Sequence, residues 1–110
     1  MKAVYVQKGE SVDFIPSVAV AAGDVVVFGD LIGIAKLDIA ASALGALAIS
    51  GVFDMLKASV AISAGATAYW DETNSVATTV AAGNKYIGKA LKSAESADAT
   101  VRVLLNAAHV

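Results

Sequence analysis

Short apolar runs separated by polar turns recur along the chain, and they are clearest over Ala22–Lys36, AGDVVVFGDLIGIAK. Gly23-Asp24 and Gly29-Asp30 read as turns, because glycine accepts positive φ and aspartate bonds its own backbone in a tight bend. Between them, Val25–Phe28 is too short for a helix and made of strand formers. Leu31, Ile32 and Ile34 give the next strand, with Gly33 marking a close backbone approach or a bulge.

The pattern extends in both directions. Met1–Gln7 alternates Lys2, Val4 and Val6 with Ala3 and Tyr5, as a strand or an extended arm does. Lys8-Gly9-Glu10 turns, and Val12–Ile15 is the returning strand, ended by Pro16, which has no N–H for a ladder. Lys36–Ser42 reads as a loop, and Gly45–Ser50 with Val52–Leu56 as a strand pair around Gly51. Ile39–Ala48, rich in alanine and leucine, also supports a helix. Ala66–Trp70 and Ser75–Val80 flank the polar turn Asp71-Glu72-Thr73-Asn74, the clearest hairpin in the sequence. Lys85–Leu91 and Thr100–Leu105 are the last strands, with Ser93–Asp98 as a polar loop or short helical turn between them.

One local motif occurs three times at irregular spacing: Val20-Ala21-Ala22-Gly23, Ile62-Ser63-Ala64-Gly65 and Val80-Ala81-Ala82-Gly83. Each precedes a strand, so it reads as one turn solution reused rather than as a solenoid. Eight to ten short antiparallel strands in one domain of 110 residues predict an all-β small barrel or sandwich, with an extended N-terminal strand or arm.

Composition adds one point. Hydrophobic residues make up 57% of the chain before its nine glycines are counted, against about 45–50% with glycine included in ordinary soluble domains. A chain this small buries only about two-thirds of its unfolded surface when it folds alone. The surplus is therefore expected to meet other subunits or a partner. A membrane is not that partner: the longest uncharged run, Ile39–Phe53, is broken by Gly45 and Gly51 and falls short of the roughly 20 residues a spanning helix needs. Met1–Glu10 carries only a short apolar patch, so no secretory segment is expected. A net charge of −2 and eight scattered basic residues argue against nucleic-acid binding. The absence of cysteine excludes disulfides and thiolate chemistry.

Candidate chemistry is sparse. Gly83–Ala90, GNKYIGKA, approaches the phosphate-binding loop G-x-x-x-x-G-K-[ST], but Ala90 lacks the hydroxyl that binds magnesium, and too little chain follows for the parallel sheet such enzymes use. The simpler reading is a glycine turn entering a strand with outward lysines. His109, the only histidine, has no nucleophile or acid to form a catalytic triad. Asp13, Asp24, Asp30, Asp38, Asp54 and Asp71 lack calcium-loop spacing and mostly adjoin turns. No lysine stands at a hairpin tip as in a lipoyl-type carrier barrel. Tyr69-Trp70 reads as hairpin packing or, alternatively, as a partner anchor, since these side chains are enriched at binding hot spots. No catalytic, cofactor-binding or metal-binding residue is assigned and no cofactor is expected. Val4, Tyr5, Val6, Phe53, Tyr69 and Trp70 are the residues read as contacting a partner.

Taken in order, the segments MKAVYVQKGESVDFIPS, VAAGDVVVFGDLIGIAKLDIAA, LGALAISGVFDMLKAS, AGATAYWDETNSVATT, NKYIGKAL and ADATVRVLL resemble the small phage capsid cement, or head decoration, proteins. The most telling matches are the G-D-x-V-x-x-G-D-x-x-G-I-A segment, Gly51–Asp54 and Ala68–Asp71. The resemblance implies a non-enzymatic virion protein, assembled in the host cytoplasm, that binds the outer face of the head. It also implies homotrimers and a clamp on neighbouring major capsid subunits. Members are sometimes labelled recombinase-like, which the missing Walker loop, the short chain and the acidic balance oppose. Another structural module, such as a fibre or tail component, is the alternative reading, ahead of a nucleotide- or DNA-binding recombination accessory.

Overall fold

A computed structural model describes residues 2–107. Nine strands follow in order: β1 Ser11–Phe14, β2 Val25–Phe28, β3 Leu31–Ala35, β4 Gly45–Ala48, β5 Val52–Leu56, β6 Thr67–Asp71, β7 Val76–Thr78, β8 Lys85–Ala90 and β9 Thr100–Leu105. They form two antiparallel sheets, ordered β1-β4-β3-β2 and β5-β9-β8-β6-β7. The architecture is all-β and sandwich-like; the two sheets do not close into a barrel. Among the described residues no helix forms, and Ile39–Ala48 supplies β4 instead.

Two expected pairings are replaced. Val12–Phe14 does not return on the N-terminal segment: β1 pairs with β4, Ser11 opposite Ala48 and Phe14 opposite Gly45. Residues 2–9 enter no ladder and lie exposed, so the arm is the reading that holds. Nor do Gly45–Ser50 and Val52–Leu56 pair around Gly51. β4 stays in the first sheet, and β5 joins β9 in the second, Val52 opposite Leu104 and Leu56 opposite Thr100. The physical reason is burial: Leu47 and Ala48 are buried within the first sheet, Met55 in the core shared with the second. The expected hairpin does form, with Tyr69 opposite Thr78 and Asp71 opposite Val76.

The core lies between the sheets. Ile32 and Ile34 of β3 pack with Met55, Ile62, Trp70, Ile87, Val101, Val103 and Leu105. Each fully buried aliphatic side chain here is worth about 1.5–3 kcal/mol relative to exposure. β9 shows why its sequence makes a strand: in TVRVLL, Val101, Val103 and Leu105 are buried while Thr100, Arg102 and Leu104 face out. A smaller cluster of Ala35, Ile39 and Leu47 gathers Val12, Phe14, Val20 and Val26. Gly33 makes the close approach expected of it, since a Cβ there would lie 2.8 Å from Leu47 Cβ.

The recurrent small-residue motif is a turn with glycine at its third position. Asp24 N donates to Ala21 O, Ala66 N to Ser63 O, and Asn84 N to Ala81 O, at 3.0, 3.0 and 3.1 Å. Gly23, Gly65 and Gly83 have φ of 91°, 83° and 76°, values this turn requires and only glycine adopts easily. Two copies belong to a larger matched unit. Val20 bridges Ile39 as Ile62 bridges Ala94. Gly23 N donates to Ala35 O as Gly65 N does to Ala90 O, at 2.6 and 2.7 Å. Ala22 N donates to Asp38 Oδ1 and Ala64 N to Ser93 Oγ. Each sheet thus contains one copy of the same construction.

Polar side chains fasten the remaining loops. The buried Lys57 ammonium donates to the carbonyls of Glu95, Ser96 and Asp98 at 2.7, 3.3 and 3.2 Å, holding the loop before β9. Asn106 Nδ2 donates to Ile32 O and Ile49 O at 2.9 and 2.8 Å, tying the end of β9 to the first sheet.

Candidate interaction surfaces

The residues that carry the candidate chemistry have structural partners. Lys85 pairs with Asp30 at 2.7 Å, Lys89 donates to Thr67 Oγ1 at 2.6 Å, and Gly88 sits inside β8, so Gly83–Ala90 is a turn and a strand rather than a phosphate cradle. Asp24 and Asp38 accept backbone N–H groups of Ala21 and Ala22. Asp71 accepts from the Asn74 backbone and amide across its hairpin turn. Among the described residues no three His, Cys, Asp or Glu side chains group as a metal site, and no helix is long and apolar enough to cross a membrane. His109 lies outside the described residues.

What the protomer does present is uncovered apolar surface. On the arm, Val4, Tyr5 and Val6 are 71%, 81% and 84% exposed, and Gln7 Nε2 bonds Ser11 O at the arm's base. The other residues read as partner contacts lie deeper. Trp70 is only 6% exposed and belongs to the core, Phe53 is half-buried against that core, and Tyr69 is half-buried with its ring edge-to-face on Tyr86. Trp70 therefore packs its own hairpin.

The register shows a second surface that was not anticipated. Inward Phe53–Val103 and Met55–Val101 pairs force Val52–Leu104, Asp54–Arg102 and Leu56–Thr100 outward on the second sheet. Val52, Leu56, Leu91 and Leu104 are exposed around the Asp54–Arg102 ion pair, in which the guanidinium donates at 2.9 and 3.2 Å. Lys89 lies 5.9 Å from the Tyr86 ring centre, and Tyr86 donates to Ala107 O. At the end of the first sheet, Ile15, Val18, Leu37 and Leu44 are also exposed. Alternation in VFDML and TVRVLL held the signal for the outward face of the second sheet. Which phase pointed outward was decided only by the partner strand.

The charges on these surfaces imply acid sensitivity. A hydrogen bond and ion pair from Arg102 hold the Asp54 carboxyl below its ordinary range. Lys85 does the same for Asp30, and the Asn74 hydrogen bonds for Asp71. A carboxyl with a lowered folded-state pKa stabilises the fold above its unfolded value, and that contribution fades as pH falls through the folded one. Melting temperature should therefore show no slope from these groups above about pH 5 and decline below about pH 4. Salt should blunt the Asp30 and Asp54 contributions more than that of Asp71, whose partner is neutral. A series of thermal melts between pH 2 and 7 checks this.

The chain finds no match among curated proteins and none among solved structures. A family model described as phage cement protein does match, over residues 6–105, which takes in all nine strands and the end of the arm. The chain belongs to the phage cement protein family.

Proposed function

We propose that this protein is a non-enzymatic component of the virion that binds the outer surface of a phage head and stabilises the shell by bridging major capsid subunits. The observation that carries the proposal, beside the family match, is apolar surface left uncovered by the protomer on the arm and on the outward face of the second sheet. A cement protein needs a firm scaffold with surfaces complementary to itself and to a lattice, and patches of this kind mark such interfaces. Association as a homotrimer places several copies of each surface against the shell, so that modest contacts multiply through avidity. Met1–Gln7, exposed and outside every ladder over its described part, adds a strand to a neighbour.

Mixing the protein with expanded, undecorated heads and imaging them tests the reading. Ordered density on the outer face is the expected result. An oligomer that ignores heads would point to a fibre or tail component instead. Deleting Met1–Gln7 should lower head affinity by about tenfold or more, a loss of roughly 1.4 kcal/mol. Unchanged head occupancy would remove the arm from the mechanism.

A further inference from the structure

We infer that the cleft between the two sheets is the acceptor for the N-terminal arm of a second copy of this chain. The inference rests on the proposal that the arm adds a strand to a neighbour, and it names the neighbour and the place.

Val25–Val27 of β2 and Phe53–Leu56 of β5 line a groove of about 670 Å³, with Trp70 at its apolar side. β2 and β5 are each the outermost strand of their sheet. Alternate residues of an outer antiparallel strand turn N–H and C=O groups away from the ladder, so β2, and β5 up to the Lys57–Ala77 bridge that joins its end to β7, border the groove as templates for another strand. Its lining also includes Asp24 and Glu72, with no lysine or arginine; Asp54 lines it too, but its carboxylate is already paired with Arg102.

The arm fits this site chemically. Between Lys2 and Lys8 it has no acidic residue, and Val4 and Val6 share one side of an extended chain with both lysines. Six residues of extended chain set those lysines about 20 Å apart. Laid along the groove, the valines face the apolar walls and the lysines meet Asp24 and Glu72.

The protomer's own arm does not fill the groove, because residues 2–9 lie exposed and none of them lines it, so the donor is another copy. The arm leaves from β1, at the opposite edge of the first sheet from β2. Donor and acceptor are thus different surfaces at opposite edges, a heterologous contact that closes into a ring when its rotation permits. A trimer is one such ring.

Cross-linking tests the geometry directly, because the native chain has no cysteine. One protein carries Val6→Cys on the exposed arm and another carries Leu56→Cys on the exposed groove rim. Mixed and mildly oxidised, the two should give a disulfide-linked heterodimer, and a chain carrying both changes should give covalent higher oligomers. A second measurement reverses charge: Lys2→Glu with Lys8→Glu should weaken self-association about tenfold in low salt, and Glu72→Lys in the same chain should recover part of the loss. Three results would overturn the inference: no cross-link in the mixture, an arm-deleted chain that sediments like the full chain, or a Leu56→Cys cross-link that forms only with capsid protein. Head binding is scored separately. Heads decorated by chains that fail to cross-link would reject the groove and leave the cement role standing, whereas cross-linked oligomers that ignore heads would do the reverse.

Discussion

Gly88→Ala is expected to abolish stable folding of this protein at physiological temperature. A Cβ at position 88 would lie 2.0 Å from Leu104 O and 2.9 Å from Leu104 C, and both are backbone atoms of the neighbouring strand. No side-chain rotation relieves that contact; β8 and β9 must separate. They cannot do so cheaply, because Ile87 and Val103 beside the contact are fully buried. Gly88 also has φ of 146°, which L side chains rarely adopt. Backbone strain of about 1–3 kcal/mol therefore adds to the broken packing, for a total of about 4 kcal/mol or more. Denaturant unfolding by circular dichroism measures it. Gly83→Ala is the control, since an added Cβ there meets nothing within 4 Å. It should lose only the turn strain of its positive φ, about 1–2 kcal/mol. Equal losses at the two positions would show that the contact with Leu104 is not what matters.

Asn106→Ala is expected to cost about 3–4 kcal/mol. The side-chain amide is held between two acceptors, Ile32 O and Ile49 O. Removing it strands both carbonyls, at about 1–3 kcal/mol for each one left buried and unpaired. Its φ of 52° is a left-handed conformation that asparagine tolerates and alanine does not, which adds about 1 kcal/mol. Two further variants separate the contributions. Asn106→Gly keeps the conformation and loses only the hydrogen bonds, so it should be milder than alanine. Asn106→Asp keeps the shape but sets carboxylate oxygens against carbonyl oxygens, so it should be the most damaging at neutral pH and partly recover in acid. Thermal melts of the three proteins give the order. Aspartate matching the native protein would show that shape alone fixes this corner.

Asn106 also shows where sequence reading runs out. Nothing in Leu105-Asn106-Ala107 announces a clamp, because its acceptors lie far away in sequence, at Ile32 and Ile49. The Asp71-Glu72-Thr73-Asn74 turn was legible for the opposite reason, since its hydrogen bonds run between residues three apart. The matched construction in the two sheets falls between these cases. Its turns could be read from Val20–Gly23 and Ile62–Gly65, and Ile32-Gly33-Ile34-Ala35 is echoed by Ile87-Gly88-Lys89-Ala90. The hairpin strand β7 is inserted between β6 and β8 in the second copy alone, so spacing along the chain hides the likeness that the shared hydrogen bonds show. Of the residues read as partner contacts, Val4, Tyr5 and Val6 lie exposed, while Trp70 was drawn into the core by its alternation with Tyr69 against a covered face.

By itself the sequence determined the all-β class, most strand positions, the turns and the surplus of apolar surface, because these follow from period-two burial, the φ that glycine permits and residue counts. Tertiary structure alone decided that β1 pairs with β4, that β4 and β5 part into different sheets, and which apolar side chains stay uncovered. Those outcomes depend on which distant strand supplies the opposite face of the core, and a local pattern is the same whichever partner covers it.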